Sequence, residues 1–214
     1  MNFPFFMPEP GSWLDRIFTF VIANLLWLFC AVLIIPLPAA TAGLFAVLLP
    51  WVRGTDKEVF ATFFGTMRRQ WLKSTVLLVV DALIVGFVVV NFRVLDLMDQ
   101  QNPLVWLARS AQILVLMTVL MTNVYLWPML VLFDLPLRRL IRVSFQLALG
   151  HSFWTLLVVG LAALPLLSAV ILPGVIVLLL GGSATTLIMS WGAWRMIRRH
   201  ATPEELAELD NLGT

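Results

Sequence analysis

The chain has 214 residues, of which 61% are hydrophobic and only 12% charged. A water-soluble domain draws about a quarter of its residues from Asp, Glu, Lys and Arg, so a soluble fold of this size is excluded and lipid must cover much of the surface. A net charge of +2 with no long basic run gives no sign of a nucleic-acid partner, and continuous apolar runs exclude the alternating pattern of a membrane β-barrel.

The first apolar segment covers residues 17–35, and a second covers 39–52. Four more follow at 74–90, 110–133, 153–172 and 174–194. Most approach the ~20 residues that cross a bilayer core. The expected fold is therefore all-α: one polytopic helical bundle over residues 1–200 with five to six membrane segments, then a short tail at 201–214. Trp13, Trp51, Trp71, Trp106, Trp154, Trp191 and Trp194 fall near segment ends, as amphipathic rings do at a membrane–water interface.

The stretch PLPAATAGLFAVLLPWVRGTDKE, from Pro36 to Glu58, decides how the N-terminal part is arranged. Ala40-Thr41-Ala42 has the small residues of a signal-peptide cleavage site, but the preceding apolar part is long and more apolar chain follows, so cleavage is not expected. One straight helix from Ile17 to Val52 would be ~54 Å long, too long for a bilayer. Pro36 and Pro38 oppose its continuation. The expected arrangement is a helical hairpin with its tip near Pro36-Leu37-Pro38 at the outer face. The alternative is one kinked span, which moves the N-terminus to the other side.

Orientation comes from Lys and Arg. Arg53, Lys57, Arg68, Arg69 and Lys73 occupy one loop, Arg138, Arg139 and Arg142 a second, and Arg195, Arg198 and Arg199 follow the last span. Of the fourteen basic residues, this leaves Arg16, Arg93 and Arg109. Alternating topology puts the three regions on one side, and the positive-inside rule makes that side cytoplasmic. The C-terminus is then cytoplasmic, and the hairpin makes the N-terminus cytoplasmic too.

Within the first basic region, Thr55 and Glu58 have capping-box spacing, so a helix is expected to start there. Phe60, Phe63, Phe64, Met67 and Trp71 recur at helical spacing beside Arg68, Arg69 and Lys73. This predicts a basic amphipathic helix on the cytoplasmic membrane surface. DLPLRRLIRVSFQLALGHSFWTLLVV repeats the arrangement with Arg138, Arg139 and Arg142, a hint of internal duplication. Both stretches either anchor the bundle or dock a cytoplasmic partner.

Asp81 is the one acidic residue within a predicted span. An intramembrane carboxylate is costly and faces protein or water. Its candidate neighbours are Asn24, Thr118, Thr122, Asn123 and Tyr125. It is either a packing anchor or a protonation or cation site. Pro128, Pro165 and Pro173-Gly174 read as helix kinks, and GGSATT at 181–186 supplies small residues for close helix approach. Cys30 is a lone cysteine, and His151 and His200 are isolated. No metal-ligand spacing, nucleophile–base pair or phosphate-binding glycine loop occurs, so no enzyme activity, metal or cofactor is expected. Thr202 and Pro203 mark the start of a short helix in the tail.

ANLLWLFCAVLIIPLPAATAGLFAVLLPWVRG followed by EVFATFFGTMRRQWLKST resembles the start of the YesL-like family of bacterial membrane proteins. The features that carry it are Asn24-Leu25-Leu26-Trp27-Leu28, the proline and small-residue patch from Pro36 to Gly43, and Phe60 and Phe64 with Arg68 and Arg69. The likeness covers about the first eighty residues and is only hydropathic beyond them. Members are often encoded beside carbohydrate ABC transporter components and glycoside hydrolases. The resemblance therefore implies the bacterial cytoplasmic membrane and an accessory role in sugar uptake, with ABC transporter subunits as partners and no catalytic residue to carry over. The alternative is a small transporter or permease subunit with a polar path around Asp81.

Overall fold

A computed structural model describes residues 13–55, 58–170 and 173–200 of the chain. Among them are seven α-helices and no strand: α1 (Trp13–Val32), α2 (Leu37–Arg53), α3 (Val59–Asp96), α4 (Pro103–Leu132), α5 (Leu137–Gly150), α6 (Ser152–Leu167) and α7 (Gly174–His200). The all-α bundle is borne out. The expected tail helix at Thr202 and Pro203, and the side chain of Trp13, lie outside the described residues.

Helices α1 and α2 form the expected hairpin, turning at 33–36. Trp27 Nε1 donates to Thr41 Oγ1 across it at 3.1 Å, and Phe20 stacks on Trp51. Pro36 caps α2 and Pro38 falls in its first turn, where a missing N–H costs nothing. Gly54 ends α2 in the left-handed region at φ 81°, a conformation glycine adopts without penalty. Every α2 residue from Pro38 to Pro50 except Thr41 is buried, because α1, α3, α4 and α7 all pack on it. A helix apolar all round belongs in the middle of a bundle, and α2 occupies it. Ala40-Thr41-Ala42 therefore lies inside a buried helix.

The basic amphipathic stretch is not a separate surface helix. It continues without a break into the next span as α3, 38 residues long and ~57 Å in contour. Protein covers the face of Phe63, Thr66, Gln70 and Ser74, while Phe60, Phe64 and Trp71 of the apolar face are exposed; a Cβ at Gly43 of α2 would lie 3.0 Å from the Phe63 carbonyl. The helix also starts later than the capping-box spacing predicts. Glu58 is the N-cap, with no side-chain cap bond, and Thr55 turns its hydroxyl back to the Pro50 carbonyl.

The second such stretch does break. Helices α5 and α6 meet at Gly150-His151 with a bend of 99°, so the two stretches share a pattern and differ in form. Helices α3 and α4 make an antiparallel hairpin closed by ion pairs at both ends, Lys73–Asp134 and Arg109–Asp96. By length and composition, α1, α3 and α4 can each cross a membrane, and a fourth span results if α5 and α6 are one bent crossing; α2 is shorter and apolar. The surface of these helices carries large exposed apolar side chains such as Leu83, Phe87 and Leu114. This is a membrane protein.

Candidate functional site

The basic regions distant in sequence converge at one end of the bundle. Arg53, at the end of α2, places its guanidinium 5.3 Å from the Trp194 ring centroid on α7. The next residue, Arg195, lies over both Trp154 of α6 and Trp191, and Trp154 Nε1 donates to the Gly192 carbonyl at 3.1 Å. Each cation gains from the ring quadrupole while remaining near water. Lys73 reaches across to Asp134 and to the Leu135 carbonyl, just before α5. This hydrogen bond, with the lysine charge, holds the Asp134 carboxyl below its ordinary value. Arg68, Arg69, Arg138, Arg139 and Arg142 are exposed at the surface and Lys73 is half-buried. The six docking candidates thus sit on α3 and α5, and Lys73 bridges the two regions.

A cavity of about 300 Å³ opens at this end between α2, α3 and the end of α4. Its polar lining is Arg53, Thr62, Thr66, Arg69, Gln70 and Asp134. Pro50, also in its wall, has no N–H to return to the Ala46 carbonyl four residues back, which frees that carbonyl from its helix bond. Sequence reading missed this cavity. Thr62, Thr66 and Gln70 look like the ordinary polar face of an amphipathic helix, and only the pairing of α3 with α2 turns that face inward. Between α4, α5 and α7, Arg139 and His200 line a smaller cavity, and His200 stacks edge-on with His151 at 4.7 Å. The two histidines that look isolated in sequence are neighbours.

The intramembrane polar candidates separate into three contacts. Asp81, half-buried on α3, lies beside the Asn123 side chain of α4, whose Nδ2 donates to the Val119 carbonyl of its own helix at 3.0 Å. Asn123 also accepts from Trp127 Nε1 at 2.8 Å. Tyr125 is wholly buried on another face of α4 and pairs its hydroxyl with Thr155 of α6 at 3.1 Å. Asn24 lies between α1 and α7, where its Oδ1 accepts from the Ser183 N–H at 2.9 Å. Thr118 and Thr122 bond back to carbonyls of their own helix. The structure brings together Asp81 and Asn123 and places Asn24 and Tyr125 elsewhere.

The segment GGSATT does the work expected of small residues. Gly182 lets Asn24 and Trp27 approach so closely that a Cβ there would meet Asn24 Oδ1 at 2.7 Å. Ser183 Oγ donates to the Phe20 carbonyl, and Thr185 Oγ1 to the Ala162 carbonyl. Among the described residues no group of three or more metal-ligating side chains occurs.

Against known proteins, residues 20–92 match the family described as a protein of unknown function, DUF624. The chain is 29% identical to "Uncharacterized protein YesL" of Bacillus subtilis (strain 168), over 86% of this chain and 88% of that protein. It is also 29% identical to "Uncharacterized protein YteU" of the same organism, over 77% and 73%. The resemblance to the YesL-like family is borne out. No solved structure matches at the same level of significance. The motif residues behind the resemblance now have structural roles: Asn24 joins α1 to α7, Trp27 joins α1 to α2, and Gly43 admits Phe63.

Proposed function

We propose that this protein is an integral membrane accessory protein that engages a partner through its basic end, without catalytic chemistry of its own. The observation that carries the reading is the convergence of Arg53, Arg69, Lys73, Arg138, Arg139 and Arg195 at one end of the bundle. Exposed arginines beside Arg53, Lys73 and Arg195, which aromatic and carboxylate contacts hold, make a positive face, which suits an acidic protein surface and steers its approach. By the positive-inside rule that face is cytoplasmic. The bundle then sits in the bacterial cytoplasmic membrane with five or six membrane segments and both ends inside. The partner suggested by the resemblance is a carbohydrate ABC-type uptake system.

Affinity purification from the native membrane tests the partner. Transporter subunits should co-purify with the wild-type chain and be lost from an Arg138→Glu, Arg142→Glu variant that still inserts. Recovery of that variant with the same subunits would remove the basic face from the argument. Reporter fusions test orientation: fusions after Lys57 or at Thr214 should report cytoplasm and one near Gln100 the outside, and a fusion before Trp13 reports the N-terminal side. The alternative, a permease subunit, rests on Asp81 with Asn123 alone, since Asn24 and Tyr125 are committed to other contacts.

A further inference from the structure

We propose that a groove between α2, α6 and α7 binds an anionic phospholipid, with an acyl chain along the groove and the phosphate on Arg195. Helices α2 and α6 both pack on α7, and a groove of about 710 Å³ lies along this junction. Its walls include Trp51 and Val52 of α2, Leu161 and Leu164 of α6, and Leu187 and Trp191 of α7. That volume falls within the roughly 300–1,000 Å³ of ligand sites. No glycine, alanine, serine or threonine lines it. Helices that associate in lipid do so through small residues and interhelical hydrogen bonds, because lipid offers no hydrophobic drive between them. Walls of bulky apolar side chains therefore suit a flexible acyl chain better than a second helix.

The charge at one end of the groove selects the lipid. Along α7, Leu187 and Ile188, then Trp191, Arg195 and Arg198 recur at intervals of three or four residues, so they share a helix face. Over residues 187–198, a rise of ~17 Å, that face passes from apolar through aromatic to cationic. Arg195 and Arg198 are exposed. The Arg195 guanidinium lies 5.8 Å from the ring centroid of Trp191, itself part of the groove wall, and 5.0 Å from that of Trp154. A ring attracts a cation through its π-face and supplies no acceptor oxygen. The N–H donors of Arg195 thus remain for phosphate, which a guanidinium can bind through two of them at once. Among the described residues no carboxylate pairs with Arg195 or lines the groove. Trp51 and Trp191 lie at the basic end of the groove, as indoles do at headgroup level. The positive-inside rule makes that level the cytoplasmic leaflet, where basic side chains between helices meet anionic headgroups. A zwitterionic lipid fits the same groove but brings a cationic amine towards Arg195, so charge ranks phosphatidylglycerol above phosphatidylcholine. The site does not depend on the partner-docking reading, because Arg138 and Arg142 lie on α5, outside it.

The test uses the full chain in nanodiscs of phosphatidylglycerol mixed with phosphatidylcholine. Wild type released from them in native mass spectrometry should keep phosphatidylglycerol above its share of the bilayer. Phosphatidylglycerol with a diazirine in its acyl chain should cross-link chiefly to residues 161–165 and 187–191, a readout that needs no variant to fold. Arg195→Gln should lower retention about tenfold, as loss of a charge-assisted contact does. Leu164→Trp, which fills the groove and keeps every charge, should lower it severalfold, while Leu114→Trp at an exposed position on α4 should not. The double variant Arg138→Gln, Arg142→Gln should stay within about twofold of wild type, as distant exposed charges do. Retention in proportion to the bilayer, or cross-links spread evenly over the spans, overturns the proposal. So does equal loss on substituting Arg138 and Arg142, which makes the binding a general attraction to the basic end. A dimer that Leu164→Trp dissociates also overturns it, because the occupant is then a second copy.

Discussion

Asn24 and Asp81 are both polar groups placed among apolar helices, and their surroundings are opposite. Asn24 sits in a seam between α1, α2 and α7 built from small residues. It is 0% exposed, accepts from a backbone N–H of α7, and touches a glycine. Asp81 sits on the α3–α4 hairpin, half-buried, beside large side chains such as Leu83 that face outward. Only Val88 and Leu95 are buried in the later half of α3, and only Val105 in the first half of α4. In lipid there is no hydrophobic drive between helices, so close approach and interhelical hydrogen bonds hold them. The seam has both and the hairpin relies on ion pairs at its ends. A charge in a span draws attention in a sequence, but the neutral Asn24 holds the more constrained position.

The largest test of that contrast is Gly182→Ala. Its Cβ would meet Asn24 Oδ1 at 2.7 Å and the Trp27 ring at 3.2 Å. Neither neighbour is the free end of a flexible chain, so α7 must shift, at a cost of about 2–3 kcal/mol for such overpacking. Gly86→Ala inside α3, where nothing lies within 4 Å, should instead raise stability by about 0.5–1 kcal/mol, the helix propensity that alanine has over glycine. Thermal unfolding in detergent reads both, and equal effects would erase the distinction between the two regions.

Next in size is Asn24→Ala, expected to cost about 1–2 kcal/mol through its lost hydrogen bond. It should also soften the first substitution, because the atom that Gly182→Ala collides with is gone. In a double-mutant cycle the pair should cost less than the two singles together. Strict additivity would mean that the seam absorbs the methyl elsewhere.

Much of this could be read in advance, and the reasons for the rest are physical. Proline positions and the length limit of a bilayer are local facts, so the α1–α2 hairpin was legible. The small residues of GGSATT were legible as packing, but their partner Asn24 lies 159 residues away, and no periodicity reports such a distance. Two basic amphipathic stretches look alike in sequence, yet α3 continues and α5–α6 bends. The joint in the second contains Gly150, a weak helix former, whereas Gln70 to Ser74 contains none. Ser74 bonds back to the Gln70 carbonyl inside the continuing helix. The three basic regions were legible as one side. The polar cavity among them was not, because it exists only where the polar face of α3 meets α2.

Asp81→Asn is a smaller test. Asn is nearly isosteric and keeps a polar group beside Asn123 while losing the charge. An exchange that preserves the contact should alter stability by less than about 0.6 kcal/mol, the average value of an interhelical hydrogen bond in lipid. Membrane levels, partner association and sugar-dependent growth should all persist. Loss of growth alone, with levels and association intact, would favour the permease reading and give the hairpin a function that its loose packing does not suggest.

The smallest expected effect lies at the foot of the same hairpin, in the Lys73–Asp134 pair. The lysine hydrogen bond and charge place the Asp134 carboxyl below its ordinary value in the folded chain. A group whose folded value is depressed stabilises the fold above its unfolded value, about 3.9 for aspartate. That contribution is lost as pH falls through the folded value. The pair therefore supports the hairpin at neutral pH and fails only in acid, below about pH 4. Because Asp134 is exposed to water, salt screens the interaction and the effect is small. Melting curves at low salt should show wild type losing more stability in acid than Asp134→Asn. The gap should close in high salt, while the Asn24 seam, which carries no charge, should give the same Asn24→Ala penalty at both salt concentrations. A salt-sensitive Asn24 penalty would show that the seam is wet, and the contrast between the two regions would then rest on packing alone.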